Sequence, residues 1–238
     1  MSASPIVELQ DIVFRWSMHD QPCLDIPRFA MQAGDRVFLH GPSGSGKSTL
    51  LGLLGGVLRP ERGRVRILDI ELAQASAAQR DRFRADHVGF IFQQFNLIPY
   101  LSAIDNVMLP CRFSARREKR AAPQGTSRRE AAAQLMRHLD LDPALHRRPA
   151  IRLSVGQQQR VAVARALIGR PELVIADEPT SSLDTERQRL FLDLLLKECA
   201  AAGAALLFVS HDQRLAESFN CQIALPSINR AGQCLEAA

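Results

Sequence analysis

Short apolar strands alternate with helical stretches along most of the chain. Ile6–Arg15 alternates apolar and polar residues, which is typical of a half-buried strand. The later predicted strands are Arg36–His40, Val65–Leu68, Val88–Phe92, Leu173–Ala176, Ala205–Val209 and Gln222–Leu225. The predicted helices are Lys47–Val57, Ala77–Arg84, Gln157–Ile168, Thr185–Ala202 and a short one that ends near Phe219. Strands that alternate with helices predict an α/β fold with a mostly parallel, covered sheet.

The stretch from Asn96 to Arg152 has a different pattern. Helical periods dominate it, including Arg128–Leu139, and we expect its prolines to break the helices. These prolines are Pro99, Pro110, Pro123, Pro143 and Pro149. We therefore predict one domain over residues 1–238, with an α/β core at 1–95 and 157–238 and an inserted helical subdomain at about 96–156.

The bulk composition is that of a soluble globular protein. Of the 238 residues, 46% are apolar and 23% are charged. The longest apolar runs have about ten residues, whereas a membrane-spanning helix needs roughly 20. Met1–Val7 has no basic segment followed by an apolar one, so no secretory signal is predicted. We expect a cytosolic protein that reaches a membrane only through a partner.

The net charge of +5 comes almost entirely from arginine. Three arginine-rich clusters lie in the central third of the chain, at Arg116–Arg120, Arg128–Arg129 and Arg147–Arg148. Such clusters fit a solvated helical face, and they also fit contact with anionic headgroups or an acidic partner. The basic charge permits nucleic-acid binding without indicating it.

A glycine-rich loop follows the predicted strand Arg36–His40 and opens a predicted helix. It matches the pattern G-x-x-x-x-G-K-[ST], with Thr49 next in the chain. Its residues are Gly41, Pro42, Ser43, Gly44, Ser45, Gly46, Lys47 and Ser48. The glycines let backbone N–H groups close around phosphate oxygens at the positive end of the helix. We predict that Lys47 reaches the β and γ phosphates of ATP and that the Ser48 hydroxyl ligates Mg²⁺.

A second candidate site lies at the end of the strand Leu173–Ala176. Asp177 and Glu178 follow it directly, and ligands of open α/β sheets bind at the carboxyl ends of strands. We predict that Asp177 holds Mg²⁺ through its water shell. Glu178 is the predicted general base that polarises the attacking water.

The order of these motifs resembles the nucleotide-binding subunit of ATP-binding cassette (ABC) proteins over nearly the whole chain. Leu153-Ser154-Val155-Gly156-Gln157 precedes a helix, Pro179–Asp184 follows the acidic pair, and His211 follows the strand Ala205–Val209. The family's motif usually reads LSGGQ, so Val155 departs from it at the first glycine. The resemblance implies a P-loop NTPase core with an N-terminal antiparallel β portion and an inserted α-helical subdomain.

The resemblance also implies further roles. The family's subunits dimerise head to tail, so the loop at Gly41–Thr49 of one copy would face Ser154, Gly156 and Gln157 of another. Because Ser154 and Gly156 are kept, we expect phosphate contact despite Val155. Gln93 resembles the glutamine that touches Mg²⁺ and couples to a partner, with Gln94 as the alternative.

Three further residues take roles by the same resemblance. Asp184 would organise the dimer contact, and His211 would hold the γ-phosphate. Trp16, the only tryptophan, would stack on adenine, with Phe14 as the reserve candidate.

The segment Gln93–Pro110 resembles the ATPases of lipoprotein-releasing and macrolide-export transporters, which work with a permease. We therefore expect a homodimer that binds ATP and Mg²⁺ and drives a separate membrane permease, on the inner face of the cell membrane. A regulator of a non-transporting membrane partner in cell-division or envelope signalling is the alternative. Long heptads of the DNA-repair type and a second cassette of the translation type are both lacking in the sequence, so no nucleic acid is expected.

Overall fold

The structure is a computed structural model that describes residues 4–123, 126–181 and 183–231. The predicted single domain of 1–238 therefore includes residues 1–3, 124–125, 182 and 232–238 that lie outside the described part. The chain divides into two units, one of residues 1–84 and 205–238 and one of residues 85–204. The limits at 96 and 156 for a helical subdomain stay a prediction.

The first unit contains the antiparallel β portion. Strand β1 (Val7–Phe14) is predicted correctly, and its residues Val7 and Leu9 are fully buried. It pairs antiparallel with β2 (Leu24–Met31) and with β4 (Arg62–Ile67). Strand β5 (Ile70–Glu71) pairs with β4 in the same sheet. The sheet order β2-β1-β4-β5 puts β2 at an edge.

Three parallel strands of the first unit carry the phosphate loop and its neighbours. Strand β3 (Arg36–His40) lies between β8 (Ala205–Val209) and β9 (Cys221–Ala224). Leu39 lies opposite Val209 and Ile223, so the loops after all three strands leave from the same edge. The helical elements of this unit are α1 (Lys47–Leu54), a 3₁₀ helix (Gln213–Ser218) and α8 (Leu225–Ile228), and the boundary of the unit at Arg84 lies inside α2 (Ala77–His87).

The second unit joins two parallel strands to most of the helices. Strands β6 (Val88–Ile91) and β7 (Leu173–Asp177) pair with Ile91 opposite Ala176. The α-helices are α3 (Ala103–Phe113), α4 (Ala115–Ala121), α5 (Arg128–His138), α6 (Val155–Leu167) and α7 (Thr185–Ala202). Short 3₁₀ helices lie at Pro143–Leu145 and Ala150–Arg152. The parallel strands and covering helices agree with the predicted α/β class.

One predicted helix break is wrong, because Pro110 lies inside α3. The helix begins at a good cap, where the Ser102 hydroxyl accepts a hydrogen bond from the Asp105 N–H. Ile104, Val107 and Cys111 bury one face on both sides of the proline, and this packing outweighs one lost backbone hydrogen bond. The other four prolines lie outside the α-helices, as predicted. No helix in the described ranges is both long enough and apolar enough to cross a membrane.

Candidate functional site

The phosphate loop connects β3 to α1 within the first unit. Gly44 and Gly46 adopt positive φ values of 73° and 96°, a conformation that favours glycine. Gly46 caps α1 without any side-chain hydrogen bond, so the first-turn N–H groups of the helix keep their capacity for an anion. A Cβ at Gly46 would lie 2.8 Å from Leu24 Cδ2, so a larger residue does not fit there. The local backbone therefore has the form of an anion-binding turn.

The Lys47 side chain folds back over this loop. Its ammonium donates hydrogen bonds to the carbonyl oxygens of Gly41 at 2.9 Å and Pro42 at 3.0 Å. Ser48 is exposed at the start of the helix, whereas the side chains of Ser45 and Thr49 are buried. Among the predicted phosphate and Mg²⁺ ligands of the loop, Lys47 and Ser48 therefore present accessible side-chain groups.

The buried side-chain amide of Asn229, which the sequence did not indicate, is hydrogen-bonded to the phosphate loop. Asn229 is 7% exposed, and its Nδ2 donates to the carbonyls of Ser45 at 3.2 Å and Cys23 at 3.0 Å. Its Oδ1 accepts from the Asp25 N–H at 2.8 Å. The amide thus joins the phosphate loop to the start of β2. Because 184 residues separate Asn229 from Ser45, no local pattern signals this contact.

His211 lies at the same edge of the sheet as the phosphate loop. It follows β8, and Val209 lies opposite Leu39, two residues before Gly41. His211 is exposed, and Asp212 behind it caps the 3₁₀ helix. The hydrogen bond from Arg214 lowers the pKa of Asp212, so this carboxylate stays charged beside the histidine.

Trp16 lies just beyond β1 and is 45% exposed. It contacts Phe14 edge-on, with ring centroids 5.2 Å apart and planes at 88°. Phe14 itself is only 7% exposed, so its ring packs in the interior. Of these two aromatic candidates, Trp16 is the one with surface left for a ligand.

In the second unit, the acidic pair Asp177–Glu178 and Gln93 lie at the same ends of two neighbouring strands. Asp177 ends β7, and Glu178 follows with a φ of 46°. Gln93 stands two residues after Ile91, and Ile91 pairs with Ala176, two residues before Glu178. Both carboxylates are half-buried, whereas Gln93 and Gln94 are exposed. A left-handed conformation at a glutamate costs free energy, and such residues concentrate at functional sites.

The segment Ser154–Gln157 forms the N-terminus of α6, which we call the signature helix. The Ser154 hydroxyl accepts from the Gln157 N–H at 3.3 Å, and the Gln157 side chain accepts from the Ser154 N–H at 3.0 Å. This capping box leaves the N–H groups of Val155 and Gly156 without an intrahelical acceptor. A Cβ added at Gly156 would meet nothing within 4 Å, and Val155 is 51% exposed. The described part of the chain gives no packing reason for glycine at position 156.

Asp184 caps α7, where its carboxylate accepts from the Arg187 N–H at 3.0 Å. The loop before it is tied to two helices of the unit: Gln159 donates to Pro179 O at 2.7 Å, and Gln188 donates to Thr180 O at 3.2 Å. Ser182 of the predicted segment Pro179–Asp184 lies outside the described residues.

A family model described as "ABC transporter" matches residues 24–181. The chain belongs to the ABC transporter family. The family assignment confirms the resemblance inferred from the order of the motifs.

The relatives of this ABC protein include ATP-binding proteins of lipoprotein-releasing systems. It is 46% identical over 185 residues to that of Anaeromyxobacter dehalogenans (LolD), across 78% of this chain and 74% of the relative. It is also 39% identical over 206 residues to the macrolide export ATP-binding/permease protein MacB of Rhodopirellula baltica. That match covers 85% of this chain but only 29% of the longer relative.

A solved structure has the same fold as this ABC protein. It is a dimeric, post-hydrolysis structure of the ATP-binding cassette MJ0796, of Methanocaldococcus jannaschii, bound to ADP and phosphate. The TM-score is 0.81 at 33% identity, and the match covers 97% of this chain and 100% of the other. The predicted P-loop α/β fold is thus confirmed. The protein is an ATPase of the ABC family, as predicted.

Proposed function

We propose that this ATPase drives a separate integral membrane permease through ATP-dependent, head-to-tail dimerisation of two identical copies. The observation that carries the proposal is the open N-terminus of the signature helix. Its N–H groups at Val155 and Gly156 lack an intrahelical acceptor, and among the described residues a Cβ at Gly156 would meet nothing within 4 Å beyond its chain neighbours and its own helix backbone. A terminal phosphate held by the second copy would lie there and accept those hydrogen bonds.

Each phosphate loop is then half of a site. Lys47 would leave the carbonyls of Gly41 and Pro42 to bind the β and γ phosphates, joined by the N–H groups of the loop Gly41–Thr49 other than Pro42, which has none. Ser154, Gly156 and Gln157 of the second copy would complete it. ATP joins two copies in this arrangement, and loss of the γ-phosphate releases them.

The hydrolytic step follows from the groups at the strand ends. Glu178 would accept a proton from the attacking water, and His211 would hold the γ-phosphate. Bound Mg²⁺ would neutralise phosphate charge, and the side-chain oxygens of Ser48, Gln93 and Asp177 are of the type it prefers. Asp184 would organise the contact between copies, while the exposed Trp16 would stack on adenine.

The fit of Val155 to this function needs a separate argument. Its backbone N–H serves a phosphate as well as that of a glycine, but its branched side chain is half-exposed at the helix end. Phosphate binding by Ser154 and Gly156 is therefore kept, and the extra side chain affects how closely the second copy approaches.

We expect Gly156→Asp to abolish ATPase activity without weakening ATP binding. Among the described residues beyond its own helix turn, a Cβ at position 156 would meet nothing within 4 Å, so the fold should hold, but the new carboxylate would repel the γ-phosphate of the second copy. The turnover number should fall by at least about a hundredfold. Phosphate release and equilibrium binding of a fluorescent ATP analogue measure the two effects.

Gln134→Asp is the matched control for that variant, because it adds a carboxylate at an exposed position of α5. It should keep both activity and binding. Normal turnover by Gly156→Asp would contradict the proposed completion of the site by a second copy.

The permease is the second half of the proposed function. The names of the relatives support it, because one group is the ATP-binding protein of a lipoprotein-releasing system and another is an ATP-binding/permease protein. We place the ATPase on the cytoplasmic face of the membrane, bound to the permease through the surface beside Gln93. No nucleic acid is part of this function.

We expect the tagged ATPase to co-purify with an integral membrane protein from detergent-solubilised membranes of its own host. Mass spectrometry identifies that protein, and reconstitution of both in vesicles measures whether ATP moves a substrate. A partner with no transport activity would favour the regulator of a cell-division or envelope protein. Recovery of the ATPase without any membrane protein would contradict both versions.

A further inference from the structure

Helix α4 inserts a buried arginine into the second unit. Arg117 is 1% exposed, although its neighbours in the cluster Arg116–Arg120 are more accessible. Its guanidinium donates to Val88 O at 2.7 Å, to Ala166 O at 3.2 Å and to Ile168 O at 3.4 Å. Val88 begins β6, whereas Ala166 and Ile168 are at the C-terminal end of the signature helix. One cation therefore joins a strand to a helix end.

The junction around Arg117 has little room to adjust. A Cβ at Gly169 would lie 2.6 Å from Arg117 Cβ, and a Cβ at Gly89 would lie 2.4 Å from Ala166 O. Gly169 also has a φ of 71°, which favours glycine. The start of β6, the end of α6 and the backbone of α4 thus meet at close to the minimum distance, with the guanidinium at the centre.

A second arginine makes the same kind of contact on the other side of Gln93. Arg165 of the signature helix donates to Phe95 O at 2.5 Å and to Asn96 O at 2.6 Å. Phe95 and Asn96 form the turn after Gln93, with φ values of 59° and 46°. The segment from Val88 to Asn96 is therefore bonded to the signature helix before Gln93 by Arg117 and after it by Arg165.

Stability alone does not account for a buried guanidinium of this type. The hydrogen bonds that Arg117 makes within the described residues all go to carbonyl oxygens and none goes to a carboxylate. Its Nε is buried without a hydrogen-bond partner there. Burial of a charge without a bonded counter-ion opposes folding, and apolar replacements of buried ions are often neutral or stabilising. What the planar guanidinium adds is a fixed geometry between several carbonyl groups.

We propose that Arg117 and Arg165 are positioning residues that hold the Gln93 segment and the signature helix as one rigid body. A shift of Gln93 then moves Ser154 and Gly156 with it, because a packed helix transmits a displacement from end to end. This inference rests on the proposed function, in which Ser154 and Gly156 bind the nucleotide of a second copy. A displacement at Gln93 would reach that second site through the contacts of Arg117 and Arg165.

The test compares Arg117→Met and Arg165→Met with Arg116→Met. Arg116 precedes Arg117 in α4 but is exposed and bonds to the Glu172 carboxylate at 2.6 Å, so it is a matched control. We expect the first two variants to bind ATP normally as monomers, because the loop around Lys47 belongs to the first unit. Their turnover number, and the affinity of ATP-driven dimerisation in the Glu178→Gln background, should fall about tenfold. Arg116→Met should keep both values.

A purely structural role predicts a different result. It would lower the melting temperature and leave the turnover per folded molecule and the dimer affinity unchanged, and that result in Arg117→Met overturns the proposal. If Arg117→Met does not fold, the half-buried Arg165→Met and the charge-conserving Arg117→Lys carry the same test. Normal turnover and dimerisation in both would overturn it.

The same experiment distinguishes failure of the proposed function from failure of the coupling through the two arginines. If the Glu178→Gln protein with both arginines does not dimerise with ATP, the composite site itself is wrong. If it dimerises and the arginine variants dimerise equally well, only the coupling through Arg117 and Arg165 is wrong.

Discussion

Glu178→Gln is expected to slow ATP hydrolysis by about a thousandfold while ATP still binds, because an amide cannot take the proton of the attacking water. The substitution keeps the shape of the side chain, so the left-handed backbone at position 178, with its φ of 46°, should be preserved. The γ-phosphate then remains in place, and the ATP-bound dimer accumulates instead of separating. Single-turnover phosphate release measures the first effect, and gel filtration with and without ATP measures the second.

Glu186→Gln provides the control for charge. Glu186 is exposed in the first turn of α7, so its neutralisation should leave hydrolysis unchanged. A Glu178→Gln protein that hydrolyses ATP at the normal rate would remove Glu178 as the base. One that binds ATP but stays monomeric would contradict the shared site, because trapped ATP is what should join the copies.

The parts of the site that follow strands were predictable because their signals are local. Glycines at positions 44 and 46 are required by the backbone angles of the loop, and β3 has the bounds expected from its apolar residues. In the same way, Asp177 ends the buried strand β7, and Gln93 follows the strand β6. A pattern of a few consecutive residues identifies each of these candidate residues, and the alternation of strands and helices along the chain predicts the fold class.

Other features depend on distant residues and gave no local signal. Strand β2 was not predicted because Pro27 interrupts its pattern, and only its edge position in the sheet makes a proline acceptable. Pro110 was wrongly taken as a break because the packing of α3 was not known. Asn229 supports the phosphate loop from a position 184 residues further on.

Arg117 shows that the residue types in a charged cluster do not predict which of its side chains are buried. Within the cluster Arg116–Arg120, a solvated face and an anionic partner were the alternatives, and both require exposed side chains. The structure buries Arg117 and leaves Arg116 and Arg120 to bind Glu172. Burial lowers the pKa of Arg117 to about 10, so the group remains charged at neutral pH. One arginine of the cluster therefore lies inside the protein, which the residue types alone could not reveal.

Lys47→Ala is expected to abolish measurable ATP binding, with a loss of affinity of at least about a hundredfold. The ammonium is the only side-chain cation that the loop itself carries, and it lies over the loop within 3.0 Å of the Pro42 carbonyl. A charged hydrogen bond is worth about 1.5–3 kcal/mol, so the loss of two such bonds that Lys47 would make to phosphate accounts for this magnitude. The loop N–H groups remain, but they cannot neutralise the charge of the terminal phosphates.

Isothermal titration with ATP measures this loss, and Lys197→Ala is its control. Lys197 is exposed on α7 and is one of only three lysines in the chain, so its removal changes the net charge equally and should leave affinity intact. The melting temperature of Lys47→Ala should stay close to normal, because the carbonyls of Gly41 and Pro42 can bond to water once the ammonium is gone. Full affinity for ATP in a folded Lys47→Ala protein would show that the phosphates bind elsewhere and that the loop Gly41–Thr49 is not the phosphate site.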